Sequence, residues 1–209
     1  MRLYADWKAS FIDGSVSVPS ENNVAFPFGI VQIGPYSVGD NEQYGSVRWH
    51  QTVDQGVLPN GNMLETFMAA SYDTTDPDSP TGDIHPRDKQ TIADRLSNSA
   101  KWLLYNEAHS IYGPYPISAE QLMPGVMTIT YNEDIVVQNT TGFTYKLSTG
   151  EWISTSISSV QGRQVQVPFD PAATQLAYGY LAVVCDYKRA SIYASNSERL
   201  PAQIWLWKF

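Results

Sequence analysis

Apolar positions recur at two different periods along this chain, and the change falls near its middle. In the first half the spacing is mostly helical. Leu3, Trp7 and Phe11 share one side of a helix that ends before the Asp13-Gly14 turn. Residues 26–33 (FPFGIVQI) form a short, nearly continuous apolar run between turn residues, which predicts a strand buried on both faces, as in a parallel sheet. Val47, His50, Val53 and Val57 predict a helix over residues 46–58, closed by the turn Pro59-Asn60-Gly61-Asn62. Residues 64–72 (LETFMAASY) read as a second strand, with helix the open alternative. A loop rich in Asp and Pro follows, and then the longest stripe: Ile92, Leu96, Ala100, Leu103 and Leu104. Pro86 suits the first turn of that helix, and Asp88 favours its positive end.

After residue 112 the period shortens to two. Gly113-Pro114-Tyr115-Pro116 marks a boundary. Beyond it, residues 126–131, 135–137, 143–147, 152–154, 165–167, 177–184 and 203–209 are short candidate strands separated by turn residues, the signature of an antiparallel sandwich or barrel. The fold class is therefore α/β over residues 1–112, followed by a β-rich, sandwich-like domain over residues 113–209. Two strands make a poor α/β domain alone, because a doubly wound sheet has more strands with helices on both faces. The expectation is that the chain is the C-terminal part of something longer, with an apolar strand edge near residues 26–33 that favours aggregation.

Composition narrows the function classes. The chain has 43% apolar residues and no stretch near the roughly 20 apolar positions of a membrane helix, so no membrane partner is expected. A formal charge of -8 without clustered Lys or Arg excludes the usual nucleic-acid partner. The first residues, MRLYADWKASF, carry Asp6 and Lys8 where a signal peptide would be apolar. Cys185 is the only cysteine, which rules out an internal disulfide and a thiolate cluster, and it reads as a buried thiol. Asn139-Thr140-Thr141 is an N-glycosylation acceptor pattern, meaningful only in a secretory setting.

His85 carries the most chemistry. It precedes a proline, which pushes its backbone towards extended, so the imidazole stands at the mouth of a helix held by the core. A general base needs such a fixed ring; the bland alternative is a loop histidine satisfied by backbone. Asp83, two residues earlier, is the first candidate to orient the ring; Asp76 and Asp78 are alternatives, and Asp83 can also cap the helix. A nucleophile is missing: no Gly-x-Ser-x-Gly elbow occurs, and Ser37 and Ser79 lie in plain loops. Arg48 offers a planar fork for a substrate carboxylate, whereas Trp49 reads as core and His50 as packed or surface. His50, His85 and His109 lack metal-ligand spacing, and no phosphate loop appears, so neither metal nor cofactor is expected.

Five strings resemble, in order and spacing, the sialate O-acetylesterase family: Ala5-Asp6-Trp7, Phe26-Pro27-Phe28-Gly29, Arg48-Trp49-His50-Gln51-Thr52, Thr66-Phe67-Met68-Ala69, and Ile84-His85-Pro86-Arg87-Asp88-Lys89-Gln90-Thr91. The resemblance is strong from about residue 4 to about 105 and looser onward. It implies a partial SGNH-hydrolase-like layer followed by the β region, and hydrolysis of O-acetyl esters on sialic acids or related acetylated sugars through a Ser/His acyl-enzyme. It implies His85 as the base. The SGNH acid position falls on Gly82, leaving Asp83 as the acid on offer. It places the serine in an N-terminal segment outside this chain, which becomes the implied protein partner, and suggests that the chain alone is inactive. A secreted or lysosomal setting goes with the family; without a signal peptide, a cytosolic one stays open. The resemblance also implies a disulfide at Cys185, whose second cysteine is replaced by Ala190. Two other readings stay open: a non-catalytic glycan-binding or structural β module, and a truncated product without independent activity.

Overall fold

The computed structural model describes residues 2–11, 26–36 and 41–209, without the side chains of residues 41 and 42. Ser37, one of the two serines considered above, lies outside the described residues. The first half contains α1 (Arg2–Phe11), β1 (Phe28–Val31), α2 (Asn41–Gln51), β2 (Thr66–Ala69) and α3 (Lys89–Tyr105). β1 and β2 pair in parallel, from Phe28 opposite Thr66 to Val31 opposite Ala69. Every residue of β2 is buried, because α3 lies against both strands. The stripe expected on α3 is what packs there: Leu103 meets Phe67, with Leu96, Ala100 and Leu104 alongside. Ile92, the first position of the stripe, is only half buried.

The second half is β throughout: β3 (Pro116–Met123), β4 (Val126–Tyr131), β5 (Ile135–Val137), β6 (Phe143–Leu147), β7 (Trp152–Thr155), β8 (Ser159–Gln161), β9 (Gln164–Pro168), β10 (Ala173–Tyr178), β11 (Ile192–Ala194) and β12 (Trp205–Lys208). Two antiparallel sheets, ordered β3-β4-β9-β8 and β12-β10-β6-β7, face one another, and β5 pairs with β11. Met127, Ile129, Val165 and Val167 from one sheet meet Phe143, Leu176, Tyr178 and Trp205 from the other in one core. Each such side chain, fully buried, contributes roughly 1.5–3 kcal/mol of transfer free energy. The same core takes Ala70 and Tyr72 from the exit of β2, and the Tyr72 hydroxyl donates to the Ala202 carbonyl at 2.6 Å.

Three sequence expectations are corrected. The helix expected over residues 46–58 spans Asn41–Gln51; Val53 and Asp54 then adopt left-handed φ of 54° and 62°, and the Thr52 hydroxyl caps the turn by accepting from Gly56 N at 2.8 Å. Gly45 is needed inside that helix, because a Cβ there would sit 1.8 Å from the Tyr180 carbonyl oxygen. Pro86 lies ahead of α3 and not in its first turn: Asp88 takes the N-cap, accepting from Thr91 N at 3.0 Å, so the helix begins at Lys89. Finally, the strand expected over residues 177–184 stops at Tyr178, where Gly179 turns the chain with φ 69° against Ile204.

Candidate active site

The loop between β2 and α3 carries His85, and its ends are tied together. Asp76 accepts from the Arg87 backbone N–H at 2.9 Å, Nε at 2.8 Å and Nη2 at 2.7 Å. This is a two-pronged carboxylate–guanidinium pair reinforced by backbone. The hydrogen bonds to Arg87 hold the Asp76 carboxyl down at about 2. Inside the loop, the Ser79 N–H donates to the Asp76 carbonyl, Gly82 N–H to Ser79, and His85 N–H to Gly82 at 2.9 Å. The Ser79 hydroxyl donates to the His85 carbonyl at 2.7 Å. The backbone on either side of the imidazole is therefore fixed while the ring is exposed. Ser79 is buried and spends its hydroxyl on that backbone, which removes it as a nucleophile for His85.

Asp83 is only 5% exposed, in contrast to His85. It lies near Tyr44, whose hydroxyl is pushed up by burial, then by Tyr36 and by the Asp83 charge. Gly82 has φ 91°, a conformation that L side chains rarely adopt, so the backbone here is shaped for glycine. Asp78 is exposed at the loop tip.

Arg48 is fully buried, and its guanidinium donates to five carbonyls: Ile33, Gly34, Gly179, Leu181 and Ala182, at 2.6–3.1 Å. The fork expected to meet a substrate carboxylate is instead committed to backbone, and it clips α2 and the exit of β1 to the turn after β10. Burial pushes its pKa down to about 10, still well above neutral pH, so it keeps its charge. His50 is exposed and pairs with Asp54 at 2.6 Å. His109 sits between Glu198 at 3.1 Å and Glu107 at 3.3 Å. Cys185 is a buried free thiol, pushed up to about 12 by burial and by Asp73, and Ala190 is fully buried. Among the described residues no group of His, Cys, Asp and Glu could hold a metal ion.

A second strut stands beside the loop. Arg95 of α3 donates through Nη1 and Nη2 to Asp73 at 2.6 and 2.9 Å, and to the Ala70 carbonyl; the Tyr193 hydroxyl also donates to Asp73, at 3.0 Å. Asp73 is fully buried. Segment 185–188 of the β-rich half is drawn onto the same corner. Lys188 N–H donates to the Asp73 carbonyl, and the Thr75 hydroxyl to that of Cys185. The Tyr187 hydroxyl donates to Asp88 at 2.5 Å, and Lys188 Nζ lies 3.2 Å from the same carboxylate. Burial opposes ionisation of Asp88, but donations from Thr91, Tyr187 and Lys188 outweigh it and lower its pKa. Between these pieces lies a cleft of about 370 Å³ lined by residues 74–77, 86–88 and Tyr187. The sequence points to the loop through its His-Pro pair, but nothing local links Tyr187 to it.

The architecture is a parallel strand pair with a helix joined to a β-rich half. A solved carbohydrate acetylesterase from Xanthomonas citri shares that fold, superposing with a TM-score of 0.68 over 89% of this chain and 42% of its own, at 20% identity. Residues 120–209 match the profile of the sialate O-acetylesterase C-terminal domain. Sialate O-acetylesterases of Mus musculus and Homo sapiens are each 34% identical over 96% of this chain. These comparisons match the chain to the C-terminal portion of the sialate O-acetylesterase family. It spans 38% of the mouse relative and 40% of the human one. Among the described residues no helix is long and apolar enough to cross a membrane.

Proposed function

We propose that this chain supplies the general base and part of the sugar-binding wall of a sialate O-acetylesterase, with a serine nucleophile contributed by a segment outside residues 1–209. In this reading, residues 1–112 form the last layer of an SGNH-type α/β domain and residues 113–209 its β-rich companion. His85 takes the proton from the serine hydroxyl as Oγ attacks the acetyl carbonyl, and returns it to the departing sugar oxygen. It then takes a proton from the water that attacks the acyl-serine and passes it to the serine Oγ as the acyl–oxygen bond breaks, which releases the acetyl group as acetic acid and regenerates the serine. Asp83 is the acid proposed to serve His85. The substrate is an O-acetylated sialic acid or a related acetylated sugar.

The observation that carries this reading is the histidine loop itself: an exposed imidazole on a backbone fixed by Ser79, Gly82 and the Asp76–Arg87 pair. The test is hydrolysis of p-nitrophenyl acetate and of an O-acetylated sialoside by this chain joined to the remaining family segment, against the His85→Ala variant. Loss of the base is expected to lower kcat by roughly 10²–10⁴-fold. Hydrolysis unchanged in His85→Ala contradicts the proposal, as does full activity of residues 1–209 alone.

A further inference from the structure

The cleft lined by Pro86, Arg87 and Asp88, which follow His85 in the chain, has one wall from the other half of the molecule, and that wall is aromatic. Tyr187 is 47% exposed although it lines the cleft. Its position is held at the hydroxyl and at the backbone. Its hydroxyl is held by Asp88, the Lys188 ammonium lies 5.1 Å from its ring centroid, and the flanking backbone is bonded to residues 73 and 75. A large ring that is both rigid and wet is prepared for a partner, because little side-chain entropy is left to lose when something stacks on it. Pro86, which is buried, and the exposed Arg87 also line the cleft, and Arg87 brings a guanidinium. Asp76 engages Nε and Nη2 of Arg87, which leaves Nη1 for an incoming oxygen. The charges are paired within the protein, Asp76 with Arg87 and Asp88 with Lys188. The cleft thus suits a ligand that is amphipathic, with C–H groups on one face and hydroxyls at its rim. A pyranose ring has that form.

We propose that Tyr187 is the stacking platform of a pyranose subsite formed by Pro86, Arg87 and Asp88, which holds the sugar whose ester His85 helps to cleave. The assignment rests on the esterase reading of His85 for its role, but the subsite is a binding claim that can be tested separately. It makes the β-rich half a specificity element of the α/β site and not only its support.

The test has two arms. In the first, N-acetylneuraminic acid is titrated into the chain while the Tyr187 ring resonances and saturation transfer to the sugar are followed by NMR. Binding is expected to shift the Tyr187 ring and to saturate one face of the pyranose. Tyr187→Ala is expected to weaken binding about tenfold, in line with an aromatic stacking contact. Tyr187→Phe, which keeps the ring and loses only the bond to Asp88, stays within about threefold and guards against misfolding as the cause. In the second arm, hydrolysis of p-nitrophenyl acetate, which has no sugar, is compared with that of an O-acetylated sialoside in the chain joined to the remaining family segment. Tyr187→Ala is expected to raise KM for the sialoside alone. Absence of sugar binding in wild type, equal binding by Tyr187→Ala, or equal losses on both substrates overturns the subsite. Sugar binding through Tyr187 without His85-dependent hydrolysis keeps the subsite and defeats the esterase reading. The reverse result keeps the esterase and defeats the subsite.

Discussion

Asp76 and Arg87 do for the His85 loop what a covalent staple would do, but with a charge that can be titrated. The Asp76 carboxyl, ordinarily near 3.8, sits at about 2 because Arg87 donates to it from side chain and backbone. A depressed carboxyl stabilises the fold above its unfolded value, and that contribution fades as pH falls through the folded one. The loop is therefore expected to stay closed at pH 4 and to open as pH drops towards 2, read from the Asp76 carboxyl carbon and the His85 amide by NMR. Asp76→Ala is expected to speed exchange of the His85 amide at neutral pH while leaving the β4 amides protected. A loop that remains equally protected in Asp76→Ala contradicts the staple.

At the scale of elements, α3 is positioned by charge as well as by its apolar stripe. Arg95 is 11% exposed at its side chain and Asp73 not at all, so neither charge tolerates loss of the other. Arg95→Met is expected to cost about 3–5 kcal/mol, the range for leaving a buried partner uncompensated, measured by urea unfolding. A cost near zero would show that the strut is dispensable. This element was legible in the sequence because Leu96, Ala100, Leu103 and Leu104 repeat at helical spacing and all pack as that spacing requires. The β-rich half was legible for the same reason at period two: β4, β5 and β6 fall on the expected residues. β3 was missed because it opens on Pro116 and exposes most of its later positions, and β8 and β11 because neither alternates: β8 is exposed throughout and β11 buried throughout. Arg48 misled for a different reason. Its five carbonyl partners come from residues 33–34 and 179–182, a convergence that no local pattern announces. Tyr187 meets Asp88 from 99 positions away and was hidden in the same way.

For the whole molecule, the two halves meet at the corner where the chemistry is proposed. Tyr72 enters the sandwich core, Arg48 reaches across to the turn after β10, and segment 185–188 returns to the His85 loop. On the other side, β1 has only β2 beside it among the described residues, and Leu3, Trp7, Phe11 and Val31 are exposed nearby. Under the proposal, His85 is the base at one corner, and the serine-bearing segment joins the sheet beside β1, whose one strand partner among the described residues is β2. Labelling with a fluorophosphonate, followed by mass-spectrometric mapping, tests that claim most directly in this chain joined to the remaining family segment. The account predicts a single labelled serine outside residues 1–209, with labelling slowed by roughly 10²-fold or more in His85→Ala. A label on a serine within residues 1–209, or one formed at the same rate without His85, would contradict it.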